Sequence, residues 1–203
     1  LLVTHPSFTD HDTGFGHPER PDRMRAIDKV LAHESYAALK RMEAPLRDDV
    51  EEHILLAHPR HHLDRMRRVG EQAMGESRLV RIDGDTVMSP ASWESALRAV
   101  GAGLQAVDEV MAGRATNVFA QVRPPGHHAL PSIPGGFCLF NSVAVGALHA
   151  QAVYGLERVA IVDFDVHHGQ GTQTIVETDP RLFYASSHQS PLYPGTGSAR
   201  ERG

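Results

Sequence analysis

One segment restricts the fold of this chain more than any other. The apolar run Val159-Ala160-Ile161-Val162 is broken abruptly by Asp163-Phe164-Asp165-Val166-His167-His168-Gly169-Gln170-Gly171. A short, unbroken apolar run rich in β-branched residues reads as a strand buried on both faces, the condition of strands inside a parallel sheet. Residues 159–164 are therefore expected to be fully buried, and residues 182–186 to form a second such strand. Parallel neighbours need crossover connections, which are usually helices, and helical periodicity does recur between the apolar runs. The expected class is α/β, with a mainly parallel sheet between two helical layers.

The helices can be placed from the spacing of apolar residues. One is expected from about Pro21, with Met24, Ile27, Val30 and Leu31 turned to the core, and a second over residues 59–72. The clearest runs from about residue 90 to 112. Trp93, Leu97, Val100, Leu104, Val107 and Met111 recur there at helical steps, as a core-facing stripe. Ser89 is placed to cap that helix, Pro90 suits its first turn and Gly113 its end. A strand over 117–122 precedes a Pro/Gly-rich loop, and Asn141 is expected to cap a helix that stops before Gly155. Residues 5–20 read as loop. The polar motifs begin where apolar runs stop, and in open α/β sheets ligands bind at that carboxyl edge.

Two motifs carry chemistry. If the strand stays extended, Asp163, Asp165 and His167 leave the same face. Two carboxylates and an imidazole at a buried strand end are costly to desolvate, and a bound cation offsets that cost. Carboxylate plus imidazole suits zinc. The competing readings are polar caps on the next helix, or a phosphate cradle at Gly169–Gly171, which lacks a following Lys or Arg. The second motif, Arg123-Pro124-Pro125-Gly126-His127-His128, holds adjacent imidazoles in a stiff loop. Imidazole titrates near neutrality, so one ring can take a proton and return it, as metal-assisted amide hydrolysis requires. Alone, a His-His pair would more often serve as hydrogen-bond donors. The group His58/His61/His62 reads as the start of an amphipathic helix, and Cys138 as a small buried apolar residue.

Bulk properties narrow the partners. A formal net charge of -5 and 22% charged residues give no footprint for nucleic acid or an anionic membrane. A single cysteine excludes an internal disulfide. No apolar run reaches the ~18 residues of a membrane helix, and Leu1-Leu2-Val3 does not open a signal peptide. The expected location is cytoplasmic. A first residue other than Met suggests a piece of a longer protein.

The stretches HDTGFGHPERPDR (11–23), GDTVMSPASWESA (84–96), RPPGHHA (123–129), GGFCLFNSVAVGA (135–147), VDFDVHHGQGTQ (162–173) and SSHQSPLYPGTG (186–197) resemble, in this order, the zinc-dependent histone deacetylases. The similarity is greatest to their class II-like bacterial deacetylase and amidohydrolase branch. The resemblance implies the arginase–deacetylase fold and makes residues 1–203 a single catalytic domain, its N-terminal two-thirds, with later strands beyond Gly203. It implies that Asp165 and His167 bind zinc and that His127 and His128 are the catalytic pair, His128 the base. It makes Asp163 the partner of His127, and puts Asp163, Asp165, His167 and Ser186 near a structural potassium ion. It makes Gly136, Phe137 and Tyr193 the walls of an acyl-lysine tunnel and Asp85 the rim carboxylate that holds the substrate backbone. It assigns structural roles at the entrance to His17 and Arg20. Gln170 stands where the family usually has Asp or Asn beside the second histidine. The family's third zinc ligand and its tyrosine have no counterpart up to Gly203, so the 203-residue chain alone is expected to bind zinc weakly. The expected reaction is hydrolysis of acetyl-lysine to acetate and a free amine. The alternatives are an acetylpolyamine or other small-amide hydrolase, a manganese ureohydrolase, and a non-catalytic acyl-lysine-binding remnant. The oligomeric state is left open.

Overall fold

In the computed structural model, which describes residues 1–202, the chain forms seven short strands and six α-helices among the described residues. Strand β1 (Leu2–Thr4) lies between β2 (Arg41–Glu43) and β5 (Phe119–Ala120), parallel to both. Strand β6 (Val159–Asp163) pairs in parallel with β7 (Leu182–Ser186) over five residues. A small antiparallel hairpin, β3 (Val80–Arg81) and β4 (Val87–Met88), stands apart. The helices are α1 (Asp22–Leu31), α2 (Val50–Ile54), α3 (Arg60–Glu76), α4 (Ser92–Met111), α5 (Ser142–Tyr154) and α6 (Gln170–Val176). The expected α/β class with mainly parallel strands is what forms.

Helix α4 supplies the centre of the largest core cluster. Ala96, Leu97, Val100 and Leu104 pack with Leu63 and Met66 of α3, Leu139, Phe140, and Val145 of α5. On its other side, Ala99 and Ala102 meet Val3, Phe8 and Met24. Small residues permit this double use. A Cβ on Gly101 would run into the Pro45 carbonyl, so α4 crosses that segment at backbone distance.

Several expectations change in detail. Helix α4 starts at Ser92, not at Pro90, and Ser89 does not cap it. The Ser89 hydroxyl instead accepts the Asp12 amide at 3.1 Å, tying the long first loop to the helix. Met111 is exposed, because the last turn of α4 leaves the core, and Val30 on α1 likewise faces outward. Asn141 does cap α5, accepting the Ala144 amide at 3.0 Å, and Gly155 ends that helix at φ +67°. The strand expected over 117–122 is regular only at Phe119–Ala120, although its pairing with the first strand extends to Gln121.

The expectation that 159–164 is fully buried is corrected. Ile161 packs against Ala144 and Ala147 of α5 and Val176 of α6. Val162, however, is 67% exposed and Phe164 85%. Alternate strand residues face opposite ways, and no described residue covers the second face.

Candidate active site at the carboxyl edge of the sheet

Beyond Asp163 the backbone leaves the extended conformation, so the three residues Asp163, Asp165 and His167 do not share one strand face as expected. Each aspartate instead folds the chain over itself. Asp163 Oδ1 accepts the Asp165 amide at 3.2 Å, and Asp165 Oδ1 accepts the His167 amide at 2.7 Å. Two consecutive Asx turns therefore bring the polar side chains together. Asp165 Oδ1 and His167 Nδ1 lie 3.2 Å apart, and both side chains are accessible.

The twin imidazoles come from the loop after β5. His127 Nδ1 donates to Asp163 Oδ2 at 2.9 Å, and His128 Nδ1 donates to Gln170 Oε1 at 2.7 Å. The Gln170 amide nitrogen also donates to the His128 carbonyl at 3.3 Å, so one side chain holds ring and backbone together. The two ring centroids are 3.9 Å apart, and the His128 ring stands 5.9 Å from that of His167. His127 Nε2 lies 3.9 Å from Asp165 Oδ1. The sequence-derived set of Asp163, Asp165, His167, His127, His128 and Gln170 thus converges on one place.

This convergence depends on glycines. A Cβ on Gly169 would overlap Asp163 Oδ2, His127 Nδ1 and the Tyr184 hydroxyl. A Cβ on Gly171 would enter the Ala129 carbonyl, so α6 abuts the backbone of the histidine pair. The Thr172 amide then donates to the His127 carbonyl at 3.1 Å.

The two histidines sit in different electrostatic settings. Burial, then the neighbouring His127, pushes the His128 pKa down to about 4, and the opposing hydrogen bond to the neutral Gln170 is too weak to restore it. Burial works to raise the pKa of Asp163. The donors around it, led by His127 and including the Asp165 amide and the Tyr184 hydroxyl, prevail and hold it below the ordinary carboxylate range.

The rim residues gather around this centre. Gly136, at φ +54°, lies so close to the His128 ring that a Cβ would overlap it. Phe137 has φ +71°, packs edge-on to His17 at 4.8 Å, and donates its amide to Thr86 Oγ1 at 3.1 Å. Tyr193 packs edge-on to His128 at 4.9 Å. Asp85 is exposed in the β3–β4 turn, and its carbonyl accepts His17 Nε2 at 2.9 Å. Desolvation, then the nearby Asp83 carboxylate, pushes the Asp85 pKa up. Ser186 stands opposite Asp163 in the strand register, with its hydroxyl 2.8 Å from His188 Nδ1. Arg20 stays at the surface beside Asp22, 3.5 Å away.

Sequence reasoning missed the supports behind the site. Arg123 is buried to 1% exposure and grips Glu19, itself 3% exposed, through Nε at 2.5 Å and Nη2 at 2.7 Å. Its Nη1 donates to the Phe8 carbonyl at 2.6 Å. The only signal was an arginine directly before Pro-Pro at the end of an apolar run. Tyr184, which donates to Asp163 Oδ2 at 3.2 Å, was also missed, because it reads as an ordinary strand residue.

Two buried histidines outside the centre give a pH-dependent stability. Burial pushes His11 and His58 each down to about 4 from 6.5. An unfolded chain binds those protons near pH 6.5 and the folded chain does not, so stability is complete above that pH. It is lost progressively as pH falls towards about 4, by up to roughly 3 kcal/mol per residue. Urea unfolding should give a lower midpoint at pH 5 than at pH 7.5. Equal midpoints would contradict the burial of these rings.

As a zinc site, Asp165 and His167 fit. Tetrahedral zinc with bonds of ~2.0–2.1 Å sets neighbouring donors roughly 3.3 Å apart, and the carboxylate and imidazole here are separated by 3.2 Å. They supply two corners only, since no group of three or more metal-binding side chains comes together among the described residues.

The sequence pattern of the histone deacetylase domain matches residues 17–203. The chain is 37% identical to the histone deacetylase-like amidohydrolase of Pseudomonas aeruginosa, over 92% of this chain and 47% of that protein. It is 39% identical to the human polyamine deacetylase HDAC10, over 84% of this chain and 26% of that protein. The crystal structure of the HDA15 HD domain superimposes with a TM-score of 0.87 at 35% identity, covering 98% of this chain and 58% of that one. The chain thus spans less than two-thirds of each. A pattern matched from residue 17 onward and a backbone that overlays almost end to end are independent signs of common descent, and the chain belongs to the histone deacetylase family, with the arginase–deacetylase α/β fold.

Proposed function

We propose that the full-length protein hydrolyses the amide of N-acetylated lysine side chains, with Asp165 and His167 among the ligands of a catalytic zinc ion. The observation that carries this reading is the hydrogen bond from His128 Nδ1 to Gln170 Oε1. An amide oxygen can only accept, so Nδ1 bears the proton and Nε2 keeps its lone pair. His128 is then a neutral base beside the metal ligands. Zinc would polarise the scissile carbonyl and acidify an attacking water. His128 Nε2 takes the proton from that water as the carbon–oxygen bond forms. A protonated histidine of the pair then gives a proton to the amine nitrogen as the carbon–nitrogen bond breaks, leaving acetate and a free amine. Asp163 Oδ2 accepts from His127 Nδ1, which fixes the tautomer and orientation of that ring.

Gly136, Phe137 and Tyr193 are the proposed walls of the acyl-lysine tunnel, and Asp85 the rim group that accepts backbone amides of the substrate. Asp163, Asp165, His167 and Ser186 are proposed to surround a structural potassium ion, a reading supported by the register that sets Ser186 opposite Asp163.

A second reading, an acetylated polyamine as substrate, is favoured by the similarity to a polyamine deacetylase. Turnover of an acetyl-lysine peptide and of acetylspermidine by the zinc-loaded full-length protein decides between them. His128→Ala should lower kcat by about 10²–10⁴-fold at unchanged zinc content. Unchanged turnover would refute the role of His128, and a wild-type protein inactive on both substrates would favour a binding remnant.

A further inference from the structure

The sequence cluster Ala57-His58-Pro59-Arg60-His61-His62 does more than start α3. His58 and His62 are both fully buried, and their rings stack at 4.7 Å with 20° between planes. Both pack edge-on to Phe140, at 5.7 and 5.6 Å. The Asn141 amide donates to His58 Nε2 at 2.9 Å, so His58 Nδ1 carries the proton and donates to the Pro131 carbonyl at 2.9 Å. His62 Nε2 donates to the Leu139 carbonyl at 2.9 Å. Two rings thus hold three backbone groups at the two ends of the segment 131–141.

That segment carries the inner wall of the site. Between its anchored ends, Gly135 and Cys138 close a tight turn with mutual backbone hydrogen bonds of 3.0 and 2.9 Å. The turn presents Gly136 and Phe137, both at positive φ, with Gly136 pressed on the His128 ring. Asn141 continues the connection. Its Nδ2 donates to the Ala129 carbonyl at 3.3 Å and to Thr172 Oγ1 at 3.0 Å. Apolar rings would fill the same volume without the cost of burying imidazole nitrogens. What the histidines add is hydrogen bonding in fixed directions to a loop that lacks regular partners.

From this we infer that the stacked His58–His62 pair is a positioning device that fixes the width of the acyl site, and thereby selects acetyl over longer acyl groups. The inference rests on the deacylase reading above. It has support outside that reading too, since burial keeps both rings neutral and so keeps the His58 acceptor intact at neutral pH.

The test compares acetyl- and butyryl-lysine peptides on the zinc-loaded full-length protein, as wild type, His58→Phe and His58→Gln. Phenylalanine fills the space without anchors, whereas glutamine can restore the acceptor for Asn141. His58→Phe should raise the butyryl-to-acetyl ratio of kcat/KM by about tenfold, chiefly through a higher KM for acetyl-lysine, and His58→Gln should return most of it. A purely structural role would lower Tm and leave the ratio unchanged, and that result in a folded, zinc-replete variant overturns the inference. Should His58→Phe fail to fold, His62→Phe reads the same ratio. Hydrogen exchange at the Phe137 and Cys138 amides tests the anchor without substrate. Faster exchange in the variant supports it and unchanged exchange overturns it. A wild type inactive on both peptides would instead sink the deacylase reading, while the exchange result still judges the anchor.

Discussion

His167→Ala in the full-length protein is expected to abolish stoichiometric zinc binding and to cut deacetylation by more than about 10⁴-fold, beyond the loss of a proton-transfer group alone. The imidazole is the only nitrogen donor within one Asx turn of Asp165, and its amide is already fixed by Asp165 Oδ1 at 2.7 Å. Removing the ring leaves the carboxylate in place without a partner to close the pair. Metal analysis together with turnover of an acetyl-lysine peptide checks this. Full zinc occupancy in the variant would mean that the ion is held elsewhere.

Arg123→Met should be the most damaging single change to stability, at about 3–5 kcal/mol, because it strands a buried carboxylate. Burial alone would raise the pKa of Glu19. The hydrogen bonds and charge of Arg123, with lesser help from His11 and Arg23, reverse that and keep the acid ionised. With the guanidinium gone, Glu19 must either protonate or drag water into a site at 3% exposure. The accompanying change Glu19→Gln should recover much of the loss, since it removes the stranded charge. Urea unfolding of the two variants measures both effects. A loss under about 1 kcal/mol in the single variant would show that the pair contributes little. Because Arg123 precedes Pro124-Pro125-Gly126-His127, activity is expected to fall with stability.

How much could be read in advance depended on how local the cause was. The existence of strands β6 and β7, the body of helix α4, the Asn141 cap and the clustering of the six polar residues were legible, because each leaves a pattern within a few residues. The path between Asp163 and His167 was not. Alternation suggested one strand face, whereas side-chain-to-backbone hydrogen bonds turn the chain instead. Exposure of Val162 and Phe164 was also illegible, since a strand's own sequence does not record what packs on its far side. The Glu19–Arg123 pair joins residues 104 positions apart, and His58 meets Asn141 across 83. Partnerships at that range have no local signature, and a motif such as Arg-Pro-Pro gives only the place where one end must lie.

The consecutive Asx turns have a consequence for the order of assembly. Asp165 and His167 are separated by a single residue, so a divalent ion joining them closes a small chelate ring with little chain entropy left to lose. The tandem imidazoles must come from some forty residues away, at a far larger closure cost. On the proposed reading, the aspartate–histidine corner is therefore the local part of the site, able to take its shape before the histidine loop docks.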